Sequence, residues 1–157
     1  MKKYYLFILM LVSVGCATSN SSKIGFEDAP RPVLDDNKAI VYFMRQKVNP
    51  SMRSPVILIN DQKMGSLPNN SFFWVNIEPG NKLISAEWSW DTGAGNETFQ
   101  IDIEAGKTYY LILKQTGQQI TFPAYFSSFS SNFFVIEDEV AMQYLNKLKY
   151  YRQEDVK

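Results

Sequence analysis

Glu78, Glu87, Asp91, Glu97, Asp102 and Glu104 fall in one stretch of the chain. Carboxylates in pairs can hydrolyse glycosidic bonds unaided, one as acid and one as base or nucleophile. Here each stands near a turn or on the polar side of an alternating strand, the pattern of solvated surface charge. The chain has no histidine and a single cysteine, Cys16. That inventory excludes a Ser-His-Asp triad, a Cys-His dyad, a His/Cys zinc site, histidine-held haem and an intramolecular disulfide. Asp91-Thr92-Gly93-Ala94-Gly95-Asn96 has the look of a calcium loop. Gly93 and Gly95 stand where an EF-hand needs oxygen donors, and Asn96 where it needs glycine, so the segment reads as a plain loop. No metal, no cofactor and no enzymatic activity are expected. Basic and acidic side chains are balanced at sixteen each, which argues against nucleic acid, whose binding requires a basic face.

Binding by aromatic side chains is the other chemistry on offer. All three tryptophans lie in the run SFFWVNIEPGNKLISAEWSW, residues 71–90. Trp88 and Trp90 alternate in phase with Ile84 and Ala86, which places both in the core. Trp74 shares a face with Phe72 and Asn76 and is the tryptophan expected at the surface. Further along, Tyr125, Phe126, Phe129, Phe133 and Phe134 are interleaved with serines. Such a cluster either caps the fold or forms a contact surface. Trp74, Tyr125, Phe126, Phe129 and Phe133 are the candidate partner surface.

The elements that must position these residues are short strands. The run 71–90 reads as a central β-hairpin, 72–77 and 82–90, joined by Glu78-Pro79-Gly80-Asn81, with proline and glycine at the positions a type II turn prefers. Residues 38–45, KAIVYFMR, are apolar on both faces, as in a strand buried on both sides. Strands at 56–59 and 63–67 flank a tight Asn60-Asp61 turn. Strands at 97–104 and 109–114 follow, with Phe99, Ile101 and Ile103 on one face. Short connections imply antiparallel neighbours. The expected fold is all-β, an antiparallel β-sandwich of immunoglobulin-like or transthyretin-like type, with a small closed barrel as the alternative. Residues 121–134 break the pattern, and Pro123 suits only an edge strand or loop. Residues 139–151 read as one amphipathic helix, with Ala141, Tyr144, Leu145, Leu148 and Tyr151 at helical spacing and Asp138 as N-cap.

The N-terminus reads as an address. Met1-Lys2-Lys3 is followed by an apolar run, 4–14, too short to span a bilayer but suited to export. It ends at Val12-Ser13-Val14-Gly15-Cys16, which resembles the lipobox of bacterial lipoproteins, with Ser13 where leucine is usual. The resemblance implies cleavage before Cys16, acylation of its thiol and a membrane anchor. Ala17 stands where aspartate would resemble an inner-membrane retention signal, so the outer membrane, facing the periplasm, is expected. The chain divides into a signal peptide (1–15), a flexible tether rich in serine and proline (16–37) in which Ile24 and Phe26 can dock locally, a β-sandwich domain (38–136), and a C-terminal helix and tail (137–157).

The middle of the chain carries, in order, Ala39-Ile40-Val41-Tyr42-Phe43-Met44-Arg45, Val56-Ile57-Leu58-Ile59-Asn60-Asp61, Met64-Gly65-Ser66-Leu67, Ser71-Phe72-Phe73, Glu78-Pro79-Gly80 and Gly106-Lys107-Thr108-Tyr109-Tyr110. Over roughly 38–114 these residues resemble bacterial lipoproteins of the DUF2846 family. Gln62 departs from the family, where a turn glycine is common. The resemblance implies a β-sandwich on a lipid anchor and assigns no activity. The expected function is a lipid-anchored, non-catalytic envelope protein that contacts an envelope partner. The alternatives are a carbohydrate- or wall-binding module using exposed aromatics and a histidine-free carboxylate hydrolase.

Overall fold

The computed structural model describes residues 24–48, 53–92, 95–120, 126–151 and 153. Cys16, the lipobox, Tyr125 and Pro123 lie outside them, as do the side chains of Phe126 and Phe129. Two sheets stack into a sandwich. The larger contains β1 (Ile24–Gly25), β2 (Ala39–Arg45), β5 (Ser71–Ile77), β8 (Thr108–Ile120), β9 (Phe126–Ile136) and β10 (Lys149–Tyr150), in the order β1-β10-β5-β2-β8-β9. The smaller contains β3 (Val56–Ile59), β4 (Gln62–Ser66), β6 (Gly80–Glu87) and β7 (Glu97–Ile103), in the order β4-β3-β6-β7. Most neighbours are antiparallel, but β2 runs parallel to β8 and β10 parallel to β5.

β2 shows why the larger sheet sits in the middle of three layers. Its residues are all buried, so each face of the strand needs its own cover. Ala39, Val41 and Phe43 face the smaller sheet and meet Ile57, Ile84, Ala86, Trp88 and Phe133. Ile40, Tyr42 and Met44 face the other way and are covered by a helix, α1 (Asp138–Leu145), and by the N-terminal segment through Phe26 and Ala29. In this second layer Tyr42 stacks on Tyr110 at 5.2 Å. Burial raises the pKa of both hydroxyls, that of Tyr110 to about 12 with Asp138 adding to the effect.

The segment expected to be the central hairpin is instead an arch between the sheets. β5 pairs with β2 and β10, whereas β6 pairs with β3 and β7. The turn residues are those anticipated, and Gly80 carries φ of 107°. A tight turn with the same residues can cross from one sheet to the other when Ile77 and Ile84, on opposite arms, both point into the layer between. Asn60 and Asp61, at φ 48° and 63°, do form the β3–β4 hairpin. Both central positions of a type I′ turn take positive φ. They are filled by Asn and Asp, so Gln62 can begin β4.

The described segments on either side of the central strands pack closely against them. Phe26 is buried and packs edge-on against Phe72 at 5.7 Å, and Ile24 pairs with Tyr150, so both residues dock on the folded unit. The helix is shorter than its apolar spacing suggests. It starts after Glu137, not Asp138, and stops at Leu145. The backbone of 149–151 then bonds to the carbonyls of Asn70 and Phe72, and Tyr150 rests against Phe72 at 5.5 Å. Sheet pairing at β5 outcompetes continued helix there. Within 121–134, where the sequence pattern breaks, residues from Phe126 onward belong to a full strand, Phe126–Ile136, in register with β8.

Gln153 closes the β4 edge. Its side-chain amide accepts from the Ser66 N–H at 2.9 Å and donates to the Ser66 carbonyl at 3.0 Å, as a neighbouring strand would. Gly65 makes room for it, because a Cβ there would stand 1.9 Å from Gln153 Oε1. Gly65→Ala should therefore expel the amide and destabilise the fold by about 1 kcal/mol, the usual net worth of such bonds. Gln153→Ala should cost about as much. In urea unfolding the double variant should be no less stable than the worse single one, since both remove the same contact.

Candidate functional site

The structure converges on one end of the sandwich, where β2 ends at Arg45. By strand alternation this residue follows Ala39, Val41 and Phe43 into the layer between the sheets, and it is fully buried. A buried cation is costly unless its donors are satisfied. Arg45 Nη1 donates to the carbonyls of Arg53 at 2.8 Å and Leu67 at 3.2 Å. Nε and Nη2 donate to Gln115 Oε1 on β8 at 3.1 and 2.9 Å. The guanidinium also lies over the Trp88 ring, 4.9 Å from its centroid, a favourable cation–π position. Burial lowers its pKa to about 10, so it stays cationic at neutral pH. Beside it the Trp88 indole donates to Ser131 Oγ on β9 at 3.0 Å. These groups form a polar lid over the apolar core.

Above the lid the chain presents a single exposed tryptophan. Trp90 opens a 3-10 turn, Trp90–Thr92, and is 95% exposed. The alternation that put it in phase with Trp88 stops at Glu87, where β6 ends, so its expected place in the core is not found. The next residue, Asp91, is held by Arg53, whose Nε donates to Asp91 Oδ2 at 2.9 Å and whose Nη2 donates to the same oxygen. Because the Arg53 carbonyl is itself bound by Arg45, one buried guanidinium and one surface ion pair together fix the turn that carries Trp90. A surface ion pair alone contributes about 0–1 kcal/mol. The hydrogen bonds of Arg45 supply the rest.

The candidate residues read from sequence are not gathered in one place. Trp74 lies on the other face of the larger sheet, half-buried, with its Nε1 donating to the Pro30 carbonyl at 3.1 Å. The N-terminal segment covers what was expected to be exposed. Phe133 is buried, 5% exposed, and packs edge-on against Phe43 at 6.3 Å. It is a core residue, because it lies on the same side of β9 as Ser131, facing the smaller sheet. Phe126 and Phe129 are on β9, in register with Ile120 and Gly117. Tyr125 and Cys16 fall outside the described residues. Trp90, Arg53 and Arg45 were missed as site residues. The only signal for Arg45 was a charge at the end of an otherwise apolar strand.

Among the described residues no three His, Cys, Asp or Glu side chains stand together to hold a metal. Asp91 is engaged by Arg53, and Glu87, Asp102 and Glu104 are exposed. A surface hollow of about 290 Å³ lies at the arch, with Ile59, Ile77 and Met64 beside Asn76, Glu78 and Lys82. Fold and surface together define a two-sheet β-sandwich with one tryptophan, Trp90, exposed on a turn at its end. Residues 35–123 match the family model described as Protein of unknown function (DUF2846). The match covers more than half of the chain, and the chain belongs to that family. A comparison with curated proteins finds no match.

Arg45→Met keeps the volume and leaves the carbonyls of Arg53 and Leu67 and the Gln115 amide without their donor. It should destabilise the fold by about 3 kcal/mol, in the range for breaking a buried charged network. Trp90→Ser should change stability by less than about 0.5 kcal/mol, as an exposed residue would. Urea midpoints of the two variants check both. Equal midpoints would refute the assignment of Arg45 as the lock and Trp90 as its exposed load.

Proposed function

We propose that the chain is a lipid-anchored protein of the bacterial envelope, non-catalytic, which binds an envelope protein through the end of the sandwich that carries Trp90. The anchor is Cys16 in its lipobox, and Ala17 favours the outer membrane, facing the periplasm. The observation that carries the contact reading is Trp90 itself. The indole is 95% exposed, and the backbone turn that carries it is held by the Arg53–Asp91 pair before any partner arrives. Tryptophan and arginine are the side chains on which protein contacts most often depend, and pre-ordering lowers the cost of association. The absence of histidine from the sequence and the surface placement of the carboxylates support a non-catalytic role.

The second reading, a wall or glycan module, rests on the same indole, since an exposed aromatic face can stack on a sugar ring. In-cell cross-linking of a C-terminally tagged chain, followed by mass spectrometry, separates the two. One dominant protein should be captured, and Trp90→Ala should reduce its yield at least about tenfold, the effect of losing roughly 1.4 kcal/mol or more at a contact. Captured wall material that depends on Trp90 would replace the protein-partner reading with the glycan one. In the same cells a fatty-acid analogue should label the wild-type chain and not Cys16→Ser. A label that survives Cys16→Ser would remove the anchor.

A further inference from the structure

An open sheet edge offers unpaired N–H and C=O groups to any strand that meets it. Proteins blunt such edges with short strands, charges, bulges or a cover. The two sheets end in β1, β9, β4 and β7. β1 is two residues long. β4 is plugged by the Gln153 amide at Ser66 and is irregular opposite Ile57/Leu58. β7 carries Glu97 and Asp102. Among the described residues, β9 has none of these devices. Its eleven residues, FSSFSSNFFVI, contain no charged residue, no proline and no glycine. Its inner side is paired with β8 from Phe126 to Ile136 without a slip, which holds the backbone extended and in register. β7 approaches from the facing sheet, with the Phe99 and Phe133 rings 6.4 Å apart, but shares no ladder with β9. Phe134 and Val135, which point to opposite faces of the sheet, are 46% and 49% exposed.

We propose that β9 is a dimerisation edge, where the β9 strands of two copies lie antiparallel about a two-fold axis and join the two larger sheets into one. A second copy is the occupant that the strand's chemistry favours. A strand without charge can lie against itself with no like charges opposite, which a charged edge cannot. A two-fold pairing is self-complementary, each copy giving and receiving the same bonds. The half-exposed Phe134 and Val135 would gain neighbours on both faces of the joined sheet. The surface bearing Trp90 is a separate contact, and neither depends on the other.

Sedimentation equilibrium of the full chain in mild detergent tests this. The wild type should dimerise with Kd on the order of micromolar. Asn132→Glu is the informative variant, because Asn132 lies opposite Lys114 in the β8–β9 register. The new carboxylate gains an attraction inside the chain, while β9–β9 pairing would bring two of them together. The variant should keep its melting temperature and weaken the dimer at least about tenfold. Val135→Lys, a second edge charge at a half-exposed position, should do the same. A monomer up to about 100 µM would overturn the proposal. So would a dimer indifferent to both substitutions, since it would be held by another surface.

Discussion

The buried guanidinium of Arg45 is the constraint on which this end of the molecule depends. A charge placed between two apolar sheets is tolerable only if the surrounding polypeptide offers acceptors in fixed positions. The chain supplies them from distant places: the loop that leads into β3 through Arg53, the segment after β4 through Leu67, and β8 through Gln115. Each acceptor is thereby tied to the end of β2. Trp88 lies against the same group and reaches β9 through Ser131. One side chain therefore holds elements of both sheets in register where strand ladders no longer do.

A similar need for cover explains the ends of the chain. A sheet apolar on both faces must be covered on both. The four-stranded sheet covers one, while α1, Phe26 and Ala29 cover the other. The C-terminal segment contributes twice, with Tyr150 against Phe72 and Gln153 against Ser66. These contacts are long-range in sequence and local in space. They make the N- and C-terminal segments part of the folded unit, even though neither carries enough apolar residues to fold alone.

Much of the fold was legible because it rests on short-range rules. The double-sided apolar run of β2, the alternation of β7 and the Asn60-Asp61 turn each announce themselves within a few residues. What was not legible depends on partners elsewhere. Glu78-Pro79-Gly80-Asn81 reads as a turn whether its arms share a sheet or not, and only the edges of β5 and β6 occupied by other strands decide for the arch. Helical spacing from Ala141 to Tyr151 is real, yet residues 149–151 find better bonds on β5. Trp90 shares the phase of Trp88, but a phase means nothing once the strand has stopped. The site was harder to see than the fold because its organising residue, Arg45, is bound by the backbone carbonyls of Arg53 and Leu67 and by the side chain of Gln115, 70 residues away, and sequence displays neither.

Hydrogen exchange measured by mass spectrometry on wild type and Arg45→Lys tests the central claim most directly. Lysine keeps the charge and loses the planar fork. If Arg45 is the lock, protection should fall in the segments around 53–55, 67 and 88–92. The β3–β4 turn and the arch after Ile77, at the opposite end of β2 from the fork, should keep theirs. Unchanged protection around 53–55 and 88–92, or an equal loss throughout the chain, would contradict it.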